Sequence, residues 1–182
     1  MLKIAHYLTH LYFGILMQMI DKAKDIANRV HKNQVDKKNY PYMSHILDVA
    51  KRVAHLGKKY EVVALLHDAI EDAEPESFKE EITQEIKKSF DEEIVKAIMA
   101  ISKNPGEDYF KDYLPRLKEN KIAIQVKIAD SSHNLSKAHL IDEISLQKKL
   151  RNKYIKVLNK LGVDGKSCEV SLKYEGGKWV SE

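Results

Sequence analysis

The sequence predicts a single all-α domain, a helical bundle with a small β-hairpin at its C-terminal end. Apolar residues recur every three or four positions along most of the chain, which is the spacing of amphipathic helices. Only 7 glycines and 4 prolines occur among the 182 residues, too few for a loop-rich protein. With 43% hydrophobic residues the chain can bury one core, but its length leaves little room for a second.

Charge and cysteine content exclude several classes of function. The 31 lysines and arginines barely outnumber the 27 aspartates and glutamates. No basic patch interleaved with aromatic residues occurs, so we expect no nucleic-acid partner, whereas a small anionic ligand suits the charge balance. Cys168 is the single cysteine, which rules out an intramolecular disulfide and a cysteine-based zinc site. We therefore expect a protein of the reducing cytoplasm.

Residues 1–19 are predicted to form a helical extension before the main domain. The segment is rich in apolar side chains, but it is too short and too interrupted by Thr9, His10 and Gly14 to span a membrane. A packed helix or the interface of a homodimer is favoured over a weakly membrane-associating segment.

Residues 20–162 are predicted to form the main domain, and apolar spacing places its first helices. One amphipathic helix covers residues 20–30. Ser44 is the predicted N-cap of a second helix, and Gly57 is expected to end that helix in a left-handed turn. Residues 60–70 are predicted to form a third helix that is apolar on several faces.

Prolines and a capping residue mark the helices that follow. Pro75 suits the first turn of a fourth helix, because its missing N–H needs no partner there. Asp91 is the predicted N-cap of a fifth helix. Residues 109–117 suggest one or two short helices, which Pro115 divides.

The last third of the chain contains one ambiguous segment. Residues 122–135 are rich in β-branched residues, which allows a strand, but the spacing of their small apolar residues favours a buried helix. Those apolar positions are Ala123, Val126 and Ala129. A long helix over residues 146–161 is expected to end at Gly162. Alternating polar and apolar residues around a pair of glycines predict a hairpin tail over residues 163–182.

A histidine and three carboxylates follow directly after an apolar run, Val62 to Leu66. Because an unpaired buried carboxylate is costly, a cation is expected to bind there. On a continuous helix, one turn presents His67 and Asp68 to a metal ion. The next turn presents Glu71 and Asp72 to a water molecule bound by that ion. Imidazole and carboxylate ligands without thiolates suit Mn²⁺, Fe²⁺ or Zn²⁺.

Two adjacent ligands are too few for a metal centre, so others must come from different helices. His45 opens the predicted second helix. Asp130 follows an apolar run and repeats the pattern of a charge buried without a local partner. We expect these two residues to complete the ligand set. His31 and His133 are interpreted as supporting residues rather than ligands.

Four motifs occur in a distinctive order along the chain. They are Tyr42-x-x-His45, His67-Asp68, Glu71-Asp72 and Asp130-x-x-His133-Asn134. This order resembles the HD-domain hydrolases of the RelA/SpoT type, and more narrowly the stand-alone small alarmone hydrolases. The resemblance covers about residues 20–162, most of the chain.

The resemblance implies an HD-domain helical bundle and an enzyme with one Mn²⁺ per site. Members of this family remove the 3′-pyrophosphate of ppGpp or pppGpp and release pyrophosphate, so a nucleotide is the expected partner. The implied roles are metal binding for His45, His67, Asp68 and Asp130, activation of the bound water for Glu71 and Asp72, and substrate binding for Lys37 and Asn134.

Two departures from the family pattern affect substrate recognition. Asp36 stands where the family usually has an arginine that packs on the nucleobase, and Ser131 replaces an arginine near the metal. Adenosine alarmones such as ppApp are therefore included among the expected substrates.

Two alternative functions also stay open. One is a different HD-type phosphohydrolase, acting on the 2′-phosphate of NADPH or on a nucleoside monophosphate. The other is a non-catalytic nucleotide-binding module. Retention of Glu71 and Asp72 beside the presumed ligands argues against this second alternative, because inactive relatives are expected to lose costly buried charges.

Overall fold

The computed structural model describes residues 2–37, 39–168, 172–175 and 178–181, with side chains at residues 14, 17–37 and 39–168. Helices form most of this part of the chain, so the predicted all-α bundle is confirmed. In chain order they are α1 (Leu2–His31), α2 (Tyr42–Val53), α3 (Lys58–Leu65), α4 (Ala69–Asp72), α5 (Glu76–Ser89), α6 (Glu92–Ile101), α7 (Leu114–Leu117), α8 (Lys121–Lys137) and α9 (Ile144–Lys160). Short 3-10 turns follow α2 (Ala54–Leu56) and α8 (Ala138–Leu140), and a π-helical turn (Tyr109–Tyr113) precedes α7.

Helix α3 lies at the centre of the bundle, where it contacts α1, α2, α6 and α8. Its residues Val62 to Leu65 are at most 1% exposed. A helix that is apolar on all sides belongs inside a core rather than at its surface. The polar motif that follows α3 therefore begins in the most buried part of the molecule.

The ambiguous segment of the sequence is helical. Helix α8 begins after Asn120, whose side-chain oxygen accepts hydrogen bonds from the backbone N–H groups of Ile122 and Ala123. Ala123 and Val126 are fully buried. Packing of this small-residue face therefore decides the conformation against the β propensity of its neighbours.

The third helix is broken where one continuous helix was predicted over residues 60–70. Helix α3 ends at Leu65 and α4 begins at Ala69. The His67 ring donates a hydrogen bond from Nδ1 to the carbonyl of Ala64, at 2.8 Å. In a regular α-helix that carbonyl would accept the N–H of Asp68. The ring thus bonds to this carbonyl at the point where the helix is interrupted.

Two predicted helix starts are wrong, by three residues for α2 and by one residue for α5. Helix α2 begins at Tyr42, and Ser44 lies inside it, with its hydroxyl donating to the Pro41 carbonyl. The reason is a bond from the Tyr42 N–H to the Gln34 carbonyl, which fixes where the chain enters the helix. Pro75 lies before α5 in an extended conformation rather than in its first turn.

Other predicted boundaries are confirmed. Asp91 accepts the N–H of Ile94 at 2.9 Å and caps α6. Gly57 and Gly162 both have positive φ, 122° and 83°, and end the helical stretches before them. Residues 109–117 do form two short helical segments, but the boundary between them lies at Tyr113 and Leu114 rather than at Pro115. Pro115 lies in the first turn of α7.

The two ends of the chain add one long helix and one pair of strands. Helix α1 passes residue 20 without a break, and the separate extension over residues 1–19 stays a prediction. In the tail, β1 (Leu172–Glu175) pairs antiparallel with β2 (Lys178–Ser181). The glycine pair predicted for the turn lies outside the described residues. Within the described part of the chain, no helix is both long and apolar enough to cross a membrane.

Replacing Asp91 with alanine removes the cap of α6, so the free energy of unfolding should fall by about 1 kcal/mol. Asp91 also lies 2.8 Å from the ammonium of Lys59. Asp91→Asn is therefore the matched control, because it keeps the hydrogen-bond acceptor and removes only the charge. It should lose less than half as much stability in urea denaturation. Equal losses in both variants would assign the effect to the ion pair with Lys59.

Candidate metal centre

The break between α3 and α4 decides how His67 faces the interior. The residue is 1% exposed. Because Nδ1 donates its proton to the Ala64 carbonyl, Nε2 of the neutral ring carries a free lone pair. Histidine binds a metal ion as the neutral imidazole, through a nitrogen lone pair of this kind.

The structure brings together the four residues predicted as metal ligands. Nε2 of His45 lies 3.3 Å from Nε2 of His67. Oδ1 of Asp130 lies 3.4 Å from the His45 nitrogen and 3.9 Å from the His67 nitrogen. Oδ2 of Asp68 lies 3.0 Å from the His67 nitrogen and 3.9 Å from that of His45.

This donor set fits a divalent metal ion. Ligand atoms about 2.1 Å from one ion lie roughly 3.0–3.4 Å from each other. Three of the observed separations lie in this range, and the other two are 3.9 Å. His45, His67 and Asp130 each offer one atom within 4.8 Å of the others. Two imidazoles and two carboxylates form a ligand set of intermediate hardness, which suits Mn²⁺, Fe²⁺ or Zn²⁺.

Three further side chains hold the two carboxylates in place. The Tyr42 hydroxyl donates to Oδ2 of Asp68 at 2.5 Å. The Lys127 ammonium lies 2.9 Å from Oδ2 of Asp130, and the Asn134 amide donates to Oδ1 at 2.5 Å. Such contacts orient metal ligands and usually affect metal affinity.

Burial and neighbouring charges shift the pKa values of Asp68, Asp130 and His67 in opposite directions. Burial raises the pKa of Asp68 and Asp130, but His67 beside the first and Lys127 beside the second outweigh it, so both pKa values lie below the usual range. Burial lowers the pKa of His67, but the Asp68 carboxylate raises it to about 9. A divalent ion at this nitrogen therefore competes with a proton.

Glu71 and Asp72 lie on α4, beyond the break, so the predicted continuous rows of side chains are wrong. Glu71 accepts the backbone N–H of Lys103 at 2.9 Å, and Asp72 accepts the amide of Gln34 at 2.8 Å. Across the described ranges, neither forms an ion pair with a lysine or arginine. Partial burial raises the pKa of both carboxyls, although Glu71 retains an exposed surface. The raised pKa brings both groups nearer to the range of a general base.

The two supporting histidines lie behind different parts of the centre, as predicted. Nδ1 of His31 lies 2.6 Å from the side-chain oxygen of Gln34, which in turn holds Asp72. Nδ1 of His133 lies 2.8 Å from Nδ1 of His45. A ligand bound through Nε2 carries its proton on Nδ1, so His45 can donate this hydrogen bond to His133.

A pocket of about 270 Å³ adjoins the metal centre. Lys37 and Asn134, the predicted substrate contacts, both line it, and so do Asp36 and Tyr154. Tyr42 forms a further wall. Because Tyr42 and Asn134 also bond to the ligand carboxylates, the pocket and the ligand cluster share their walls.

Sequence reasoning missed the contacts of Tyr42, Lys127 and Gln34. Tyr42 precedes His45 by three positions, and Lys127 precedes Asp130 by three, so helical spacing carried a signal that both side chains share a face with a ligand. Gln34 lies in a loop, where spacing carries no such signal.

Comparisons with known proteins identify the family. Residues 23–162 match the HD domain. A guanosine-3′,5′-bis(diphosphate) 3′-pyrophosphohydrolase of Aquifex aeolicus is 27% identical over 173 residues, which cover 88% of this chain and 23% of the relative. Its counterpart in Borreliella burgdorferi is 28% identical over 160 residues, 79% of this chain and 23% of the relative. The chain thus spans less than a quarter of the length of these relatives.

A solved structure shows the same fold. It is that of a metazoan ortholog of SpoT, which hydrolyzes ppGpp and plays a role in starvation responses. The TM-score is 0.63 at 17% identity, over 79% of this chain and 83% of the other. Because the HD-domain match covers well over half of the chain, the protein belongs to the HD-domain family.

Proposed function

We propose that this protein is an Mn²⁺-dependent hydrolase that removes the 3′-pyrophosphate of alarmone nucleotides and releases pyrophosphate. The observation that carries this proposal is the convergence of His45, His67 and Asp130, with Asp68 3.0 Å from His67, beside a pocket of about 270 Å³. The activities of the pyrophosphohydrolase relatives and of the SpoT ortholog support the same reaction.

The roles of the site residues follow from their chemistry. His45, His67, Asp68 and Asp130 would hold a divalent ion, which would lower the pKa of a bound water and offset the charge of a phosphoryl group. Glu71 accepts the proton of the attacking water, since burial raises its pKa toward that of an effective base. Asp72 orients the water, and the Gln34 amide fixes the Asp72 carboxylate.

The pocket supplies substrate contacts of two kinds. The Lys37 ammonium suits a phosphate, and the Asn134 amide suits a polar group of the nucleotide. Asp36 lines this pocket where the related family usually has a base-stacking arginine. We therefore include ppApp with ppGpp and pppGpp among the substrates.

A second candidate is a phosphatase that acts on the 2′-phosphate of NADPH or on a nucleoside monophosphate. The loss of two arginines at Asp36 and Ser131 favours it, because these changes alter the contacts with the nucleotide. Ser131 is fully buried, so its hydroxyl does not replace an arginine at the surface of the pocket.

A substrate panel with Mn²⁺ tests the reaction directly. We expect pyrophosphate from ppGpp or ppApp, loss of turnover on chelation, and recovery when Mn²⁺ is restored. The products are identified by anion-exchange chromatography. Orthophosphate as the only product, from NADPH or a nucleoside monophosphate, would establish the second candidate instead.

Replacing Glu71 with glutamine should lower kcat by about 10²–10⁴-fold, because the amide cannot accept a proton. The Kd for Mn²⁺ should change by no more than about twofold, since Glu71 is outside the proposed ligand set. Glu74→Gln is the matched control, an exposed carboxylate three residues away. Turnover of the Glu71 variant equal to that of the control contradicts the role as base.

The pH profile follows from the raised pKa of Glu71. A base must be deprotonated to act, so turnover should rise with pH, with a midpoint above the ordinary glutamate pKa of 4.5. Proton competition at His67 also weakens metal binding as pH falls, so the profile is measured at two saturating Mn²⁺ concentrations. The midpoint should not move between them. A midpoint that falls as Mn²⁺ rises assigns the profile to metal loss.

A further inference from the structure

The ammonium group of Lys153 has an unusual environment. Lys153 lies on α9 and is half-buried. Its Nζ lies 4.4 Å from the ring centroid of Tyr109 and 5.8 Å from that of Tyr154. Among the residues with described side chains, no carboxylate lies within ion-pair distance of it. A half-buried cation that contacts only aromatic faces retains most of its capacity to bind an anion.

Lys153 and Lys127, which pairs with a proposed metal ligand, both lie over the ring of Tyr109. The ammonium of Lys127 lies 6.0 Å from the same Tyr109 centroid and pairs with the ligand Asp130 at 2.9 Å. On the other side, Tyr154 lines the pocket that holds Lys37 and Asn134. Lys153 is not among the residues that line this pocket, but its ammonium contacts one ring that it shares with Lys127 and a second ring that forms a wall of the pocket.

The pKa of Lys153 is consistent with an ammonium group that has no direct carboxylate partner among the described side chains. Burial lowers the pKa of Lys153, and the nearby Lys127 lowers it further, against the opposing attraction of Asp130. Lys127 differs, because its ammonium pairs directly with the Asp130 carboxylate at 2.9 Å. Lys127 is thus already neutralised, whereas Lys153 is not.

The charges of the proposed centre show why such a cation is needed. Asp68, Asp130, Glu71 and Asp72 carry four negative charges when ionised. A divalent ion and Lys127 together offset three of them. A substrate with several phosphoryl groups would then meet a net negative site. The Lys153 ammonium offsets the remaining negative charge, and Lys37 in the adjoining pocket adds a further positive charge.

We propose that Lys153 forms an anion subsite that binds the terminal phosphoryl group of a pyrophosphate whose inner phosphoryl group lies at the metal. The site therefore selects a pyrophosphate over a single phosphate. This inference rests on the proposed function, because it assumes that the phosphoryl group attacked lies at His45, His67, Asp68 and Asp130. Lys127 cannot take this role, since Asp130 already occupies it.

The test compares binding of inorganic pyrophosphate and inorganic phosphate by calorimetry, with Mn²⁺ in excess over both protein and anion. Lys153→Met keeps an unbranched side chain against Tyr109 and removes the charge. It should weaken pyrophosphate binding about tenfold or more, and phosphate binding by less than about twofold. Lys153→Arg should recover part of the loss, because it restores a cation that stacks on aromatic rings.

Lys156→Met is the matched control. Lys156 lies one turn along the same helix, and its ammonium stacks on Phe110 at 4.1 Å rather than on Tyr109. This variant should bind both anions as the wild type does. Equal melting temperatures for the three methionine and arginine variants and the wild type establish that each is folded.

Several outcomes overturn the inference. These are equal effects of Lys153→Met and Lys156→Met, equal weakening of phosphate and pyrophosphate, or a wild type that binds pyrophosphate no better than phosphate. Hydrolysis of ppGpp by the same wild-type preparation separates the two proposals. Lys153-dependent pyrophosphate binding without hydrolysis refutes the proposed reaction and leaves the subsite standing.

Discussion

The hydrogen bond from His67 Nδ1 to the Ala64 carbonyl is the interaction on which the candidate site depends. Neighbouring residues of a continuous helix do not face each other, so an unbroken helix would direct His67 and Asp68 to different sides. The bond lies at the end of α3, where the helix is interrupted before α4 begins. Both side chains then reach one point, and the free Nε2 faces His45 and Asp130.

The surrounding polar groups exist because buried carboxylates need partners. Asp68 has the Tyr42 hydroxyl, and Asp130 has Lys127 and Asn134. These contacts join α2, α8 and the break after α3 through their side chains. A network of this kind is favourable only when its members are satisfied, and each of these hydrogen bonds also fixes the direction of a ligand oxygen. Rigid helices therefore hold the centre, whereas loops supply much of the pocket.

Local signals in the sequence determined much of the helical fold. The cap at Asp91 and the stop at Gly162 are decided by one residue and its neighbouring backbone, so they could be predicted. The start of α2 could not, because the bond from Tyr42 to Gln34 joins the helix to a loop eight residues earlier. The helix break at His67 was also missed, since an apolar run followed by polar residues is equally compatible with a continuous helix.

The sequence by itself determined the kinds of ligand and the order of the motifs that supply them, because a histidine and carboxylates beside apolar runs imply a buried cation. Only the tertiary structure decided which atoms converge, since His45, His67 and Asp130 lie far apart in the chain and meet through the packing of α2, α3 and α8. The position of Lys153 was decided in the same way. A lysine on a basic helix face has no distinctive pattern, and its contact with Tyr109 depends on how α9 packs near α8.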